Sequence, residues 1–212
     1  MSGSKINVAK QAIDYIKDKL HPEMILGIGT GSTVNFFIEE LKDLRNNFAG
    51  AVSSSEASSR LLNENGIEVF NLNDISEIAF YIDGADEVAP NKELIKGGGG
   101  AHTREKIVAS AAKEFICIVD DSKIVTKLGA FPLPVEVIPE SRSLVARRIV
   151  SMGGVPEYRA GFTTDQGNQI LDVKEIDISD PKELETLLNT IPGVVDNGIF
   201  AFNKPSVVLV SK

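Results

Sequence analysis

The sequence predicts an α/β protein: a parallel sheet with helices on both faces, followed by a smaller ferredoxin-like α+β domain. Three observations carry this. Short apolar runs alternate with helical patterns over the first 130 residues. Those runs are almost continuously apolar, as parallel strands buried on two faces require. From Phe131-Pro132-Leu133-Pro134 onward the order changes to strand, helix, two strands, helix, strand, the split arrangement of a ferredoxin-like unit. The expected domains are residues 1–130 with 205–212, and residues 131–204.

The first element follows from Ile6, Ala9, Ile13, Ile16 and Leu20, whose spacings of three and four make one apolar helix face that covers a sheet. Apolar runs then predict strands at Ile25–Ile28, Ala51–Ser53, Ile67–Phe70, Ile78–Ile82 and Phe115–Val119, with helices at Val34–Leu44, Ala57–Glu64 and Glu105–Lys113 between them. In the second domain Val135–Ile138 reads as a strand and Ser141–Met152 as a helix stopped by Gly153-Gly154. Glu157–Ala160 and Gln169–Ile176 read as a hairpin around Thr164–Asn168. Asp180 is placed to cap a helix with Pro181 at its first position, and Ile199–Phe202 is expected to close the unit. One apolar run remains, Val207–Val210, and after the Asn203-Lys204-Pro205 break it is expected to return to the first domain.

The 212 residues are 42% hydrophobic and 25% charged, which suits a globular protein with a sizeable core. A net charge of −8 without clustered Lys and Arg argues against a nucleic-acid partner, and means that an anionic ligand needs local cations. The charges Lys5, Lys10, Asp14, Lys17, Asp18 and Lys19 leave no apolar signal-peptide core near the start, and no window reaches membrane-spanning length. No membrane partner is expected, and the cytoplasm is the expected compartment. Cys117 lies in an apolar run and reads as a buried strand residue. With only His21 and His102 there is no zinc set, and although Asp83, Asp86 and His102 are hard-cation ligands by type, no metal is expected.

The chemistry-bearing residues gather after strand ends, where ligands sit in such sheets. Gly27-Ile28-Gly29-Thr30-Gly31-Ser32-Thr33 departs from the dinucleotide and P-loop fingerprints. It reads either as a phosphate-monoester loop, using Thr30, Gly31, Ser32, Thr33 and the following helix N–H groups, or as a tight turn with a helix cap. Asp83-Gly84-Ala85-Asp86 reads as a pair of acceptors for sugar hydroxyls or as a solvated Asx-turn. Lys96 precedes Gly97, Gly98, Gly99 and Gly100, a run that costs much backbone entropy. It forms either a wall close to a ligand, with Lys96 facing developing negative charge, or a mobile surface loop. Thr103 is positioned to cap the next helix and puts Glu105 in its first turn, as a general base or as an ordinary first-turn acid. Lys123 follows another strand end and reads as a phosphate or oxyanion contact, or as a solvated lysine. Ser53, Ser54 and Ser55 line a site or cap the next helix.

These stretches, with Ala51–Ser55, Tyr81–Glu87, Ile95–Lys106 and Phe131–Pro139, occur in the order of a known family. The chain resembles type A ribose-5-phosphate isomerase over nearly its whole length. That resemblance implies a Rossmann-like domain with a smaller α+β domain. The implied reaction is interconversion of D-ribose 5-phosphate and D-ribulose 5-phosphate without cofactor or metal, by a homodimer or homotetramer in the pentose phosphate pathway. It assigns the base to Glu105, and substrate contacts to Thr30–Thr33, Asp83–Asp86, Lys96–Gly99 and Lys123, with Lys96, Asp83 and Asp86 also serving the chemistry. Gly100 and His102 depart from the small or apolar residues common in the family and leave this set intact.

Overall fold

A computed structural model describes residues 2–212. In chain order the elements are α1 (Ser2–Ile16), β1 (Ile25–Ile28), α2 (Ser32–Leu41), β2 (Gly50–Ser53), α3 (Glu56–Glu64), β3 (Ile78–Asp83), β4 (Glu87–Val88), β5 (Leu94–Ile95) and α4 (His102–Ala111). There follow β6 (Ala112–Asp120), β7 (Leu133–Val137), α5 (Arg142–Ser151), β8 (Val155–Tyr158), β9 (Gln169–Lys174), α6 (Pro181–Asn189), β10 (Val194–Asn197), β11 (Ile199–Phe200) and β12 (Val207–Ser211).

The chain divides into two compact units. The first comprises residues 2–84, 104–123 and 205–212, and the second residues 85–103 and 124–204. Relative to the expected boundary at 131, segments 85–103 and 124–130 therefore group with the second unit.

The first unit holds a parallel five-stranded sheet in the order β12-β6-β3-β1-β2. Strand residues alternate between faces. Leu26, Ile28, Phe80, Ile82, Ile116 and Ile118 form a core with the apolar stripes of α1 and α2, including Ala9, Ala12, Ile16, Phe37 and Leu41. The opposite face carries Gly27 and Tyr81 and meets Val108 of α4. Helices therefore lie on both faces, and β12 does return to pair with β6. Ile67–Phe70 forms no strand. It makes one parallel bridge, Val69 to Ala51, before Asn71 caps a short 3-10 turn at Leu72–Asp74 and ends the pairing.

In the second unit β7, α5, β8, β9, α6 and β10 form an antiparallel sheet in the order β10-β7-β9-β8, the ferredoxin-like arrangement. Val135, Val137, Leu171 and Val173 pack with Val145, Ile149, Leu184 and Leu188 of its two helices. Asp180 caps α6 by accepting from Glu183 N–H at 3.0 Å. The closing strand is Val194–Asn197 and not Ile199–Phe202. A Cβ on Gly198 would overlap the Lys96 carbonyl, and the chain bends there so that Ile199–Phe200 pairs with β5 in a separate sheet, β11-β5-β4.

Candidate active site

The strand register of the first unit explains the first glycine pair. Gly27 of β1 lies opposite Tyr81 of β3, and two residues on, Gly29 lies beside Asp83. A Cβ on Gly27 would come within 2.8 Å of Val108 and 3.0 Å of the Tyr81 ring, and one on Gly29 would overlap the Asp83 carboxyl group. The two glycines thus leave room for the Tyr81 ring and the Asp83 carboxylate on the α4 face of the sheet. Asp83 is fully buried. It accepts from the Tyr81 hydroxyl, from Thr30 N–H at 3.1 Å and from Gly84 N–H at 2.7 Å.

The next residues of the same loop turn into α2. Gly31, with φ of +119°, occupies a backbone region that side-chain-bearing residues rarely adopt. It stands at the N-cap without a side chain to close the helix end, whereas Ser55 of α3 accepts from its own first turn. The α2 N-terminus therefore presents backbone N–H groups and hydroxyls of Ser32 and Thr33, with the partial positive charge of a helix start. Lys5 of α1 donates to Ser32 Oγ at 2.7 Å, which adds a full positive charge there. Thr30 Oγ1 is 2.7 Å from Ser54 Oγ, while Ser54 N–H is bonded to the Ile28 carbonyl. Lys123 follows β6 in the 3-10 turn Asp121–Lys123, at the same carboxyl edge of the sheet.

Glu105 is 4% exposed and lies in the first turn of α4, one helical turn before Val108. Its charge reaches Tyr81. Burial first, then the charge of Asp83, then that of Glu105, push the Tyr81 hydroxyl well above the usual tyrosine range. Tyr81 is thus a neutral donor beneath two buried carboxylates. Arg104 turns away to pair with Glu56 at 2.9 Å.

In the second unit Asp86 and the glycine run form one construction. Asp86 N–H bonds the Ile95 carbonyl, and its carboxylate accepts from Gly98 N–H at 2.8 Å. Gly97 has φ of +104°, and a Cβ there would lie 2.7 Å from His102 Nδ1. Arg159 donates to the carbonyls of both Gly97 and Gly98 at 3.2 Å and pairs with Asp172 at 2.5 Å. The run is a braced wall and not a mobile loop. Lys96 is 3% exposed, with its amine 5.5 Å from the centre of the Phe200 ring and its N–H bonded to the Gly198 carbonyl. Gly99 is exposed and Ala85 half-buried. Thr103 does not cap α4. The helix already includes His102, and the Thr103 hydroxyl donates to buried Glu136 instead.

The first unit thus gathers Thr30, Gly31, Ser32, Thr33, Asp83, Gly84, Glu105 and Lys123 at one sheet edge or on the helix above it. The second holds Ala85, Asp86, Lys96, Gly97, Gly98 and Gly99. Sequence reasoning gave Ser54 as one of two readings, and missed Tyr81 and Lys5 as parts of the constellation and Arg159 as the brace. For Tyr81 a signal existed, since Tyr81-x-Asp83 opposite Gly27-x-Gly29 is a large-against-small pattern of period two.

Residues 50–212 match the family model described as ribose 5-phosphate isomerase A (phosphoriboisomerase A). The chain is 56% identical over 211 residues to ribose-5-phosphate isomerase A of Legionella pneumophila (strain Corby), covering 100% of this chain and 96% of the relative. It is 57% identical over 203 residues to that of Mannheimia succiniciproducens, covering 95% and 91%. The crystal structure of ribose 5 phosphate isomerase A from Neisseria gonorrhoeae superposes with a TM-score of 0.93 at 47% identity, over 99% of this chain and 94% of that one. A D-ribose-5-phosphate isomerase solved in complex with phospho-erythronic acid superposes with a TM-score of 0.90 at 38% identity, over 98% and 93%. With its sheet, glycine pair, buried acids and braced glycine wall accounted for, the chain belongs to the ribose 5-phosphate isomerase A family.

Proposed function

We propose that the chain interconverts D-ribose 5-phosphate and D-ribulose 5-phosphate, with Glu105 moving one proton between C2 and C1. The Glu105 carboxylate removes the C2 proton of the open aldose, leaving a cis-enediolate; the hydroxyl proton passes from O2 to O1, and the Glu105 acid returns its proton to C1 to give the ketose. Negative charge that builds on O1 and O2 falls to Lys96 and the N–H groups of Gly97 and Gly99, while the Gly98 N–H holds Asp86 beside them. Asp83 exchanges a proton with the furanose oxygens during ring opening, and Asp86, Gly84 and Ala85 help hold the sugar. The phosphate sits on the α2 N-terminus with Thr30, Gly31, Ser32 and Thr33, and takes Lys123 as a counter-charge.

The observation that carries this reading is the burial of two carboxylates, Asp83 and Glu105, around one neutral tyrosine hydroxyl in a unit that also offers an uncapped helix start. The helix start supplies the anion site that a sugar phosphate needs. The relative that binds phospho-erythronic acid, a phosphorylated sugar acid, supports the same substrate class. The enzyme works in the cytoplasm as a homodimer or homotetramer, without metal, nucleic acid or membrane.

The test is appearance of ketose from ribose 5-phosphate with wild type and Glu105→Gln. The variant is expected to lose at least about a hundredfold in kcat, the usual contribution of a general base, while inorganic phosphate still competes with an unchanged inhibition constant. Near-normal turnover by Glu105→Gln would remove Glu105 from the role. A chelator is expected to leave the wild-type rate unchanged, and a rate restored by added divalent ion would contradict the metal-free reaction.

A further inference from the structure

Tyr81 takes no part in the steps above, yet its hydroxyl stands at the centre of the first unit's polar cluster. The bonds converge on Asp83 from two sides. Thr30 Oγ1 is 2.7 Å from Ser54 Oγ, the Ser54 hydroxyl acts on the Tyr81 hydroxyl against the upward push of the two acids, and the Tyr81 hydroxyl donates to Asp83 Oδ2. Thr30 N–H donates to the other oxygen, Asp83 Oδ1, at 3.1 Å. Ser54, Tyr81 and Asp83 are all fully buried. The Tyr81 ring is clamped against Phe115, with centroids 4.9 Å apart, and occupies the space left by Gly27. A phenylalanine would fill that space without a buried hydroxyl to satisfy. The hydroxyl therefore answers a polar requirement, and that requirement is Asp83.

We propose that Tyr81 is a positioning residue for ring opening: through Asp83 on one side and Ser54 on the other, its hydroxyl locks the acid and the Thr30 turn into one prearranged unit. A chain of donors ending on a carboxylate strengthens each of its own bonds, and a fixed acid needs no reorganisation when substrate arrives. Burial and the two neighbouring carboxylates keep the hydroxyl protonated, so it remains a donor throughout the working pH range. The inference rests on the reading that Asp83 meets the sugar.

The experiment compares wild type, Asp83→Asn, Tyr81→Phe, Ser54→Ala and the Tyr81→Phe/Ser54→Ala double variant on ribose 5-phosphate and its C2-deuterated form. Tyr81→Phe is expected to lower kcat about ten- to a hundredfold, the scale of a misplaced catalytic group, with KM nearly unchanged. Its C2 deuterium isotope effect on kcat is expected to fall below that of wild type, because ring opening then outweighs proton removal. Ser54→Ala is expected to move both quantities in the same direction by less, and to add nothing in the Tyr81→Phe background. Should Tyr81→Phe fold poorly, Ser54→Ala carries the same isotope expectation by itself. Normal kcat in Tyr81→Phe, an isotope effect equal to wild type, or multiplicative losses in the double variant would each overturn the inference. Normal turnover in Asp83→Asn would instead overturn the assignment of Asp83, whereas a crippled Asp83→Asn beside a normal Tyr81→Phe removes Tyr81 alone.

Discussion

Gly29 and Asp83 show how closely single residues are matched at this site. The carboxylate occupies the space where a Gly29 side chain would begin, so Gly29→Ala must expel it or distort β1. We expect that variant to lose stability by about 1–3 kcal/mol, as overpacking does, and to lose turnover more severely than Gly31→Ala. Steady-state rates and denaturant midpoints on both variants check this. Tyr81 supplies a second expectation at this scale. Its hydroxyl titrates higher in the folded protein than in the unfolded chain, so its contribution to stability is complete below the unfolded value of about 10. Above that pH the unfolded chain releases the proton while the folded protein keeps it, and stability falls. Melting temperatures measured from pH 8 to 11 should therefore drop more steeply for wild type than for Tyr81→Phe. Of the site, Glu105, Asp83, Lys96 and the hydroxyl loop were legible because each follows a strand end or opens a helix. The Tyr81 hydroxyl was not, because an apolar strand containing one tyrosine reads as core, and only cross-strand register places its hydroxyl on an acid.

The helices divide by how their first turns are satisfied. Asp180 closes α6 and Ser55 closes α3, whereas α2 begins at Gly31 with no closing side chain. Asp180→Ala is expected to cost about 1 kcal/mol, the usual worth of an N-cap, with kcat and KM unchanged. Chemical denaturation beside a turnover assay separates those two quantities. Most elements were visible in the sequence because their periodicity and punctuation agree. Asp180-Pro181-x-Glu183 states a helix start outright, and the apolar β1, β3 and β6 state a doubly covered sheet. The exceptions share one physical cause. Ile67–Phe70 and Ile199–Phe202 carry strand-like side chains, but a segment becomes a strand only where partners offer enough backbone groups. The first found a single bridge before Asn71 turned the chain, and the second was redirected by Gly198 to β5. The two-residue strands β4 and β5 are too short to leave any periodic signal. Thr103 misled because the helix begins one residue earlier, at His102, and the Thr103 hydroxyl donates to the Glu136 carboxylate in place of accepting from a first-turn N–H.

At the scale of the whole molecule, the net charge of −8 sets an overall field that opposes an anionic substrate, so binding depends on the local positive groups already described. Cys117 provides a single internal gauge of the larger unit. It is fully buried on β6, between β3 and β12. We expect it to resist thiol reagents in the native protein and to react at the rate at which that sheet opens, so labelling and loss of activity on heating should run in parallel. Removal of residues 205–212 should make the same thiol reactive at ambient temperature, because β12 forms one flank of its strand. The placement of β12 also bears on synthesis. Every residue of the ferredoxin-like unit precedes residue 205, whereas the parallel sheet lacks its border until residues 207–211 have left the ribosome. Maturation therefore runs against the direction of translation: the unit begun first is completed after the ferredoxin-like one, and the nascent polypeptide carries an open β6 flank from residue 120 until residues 207–211 emerge.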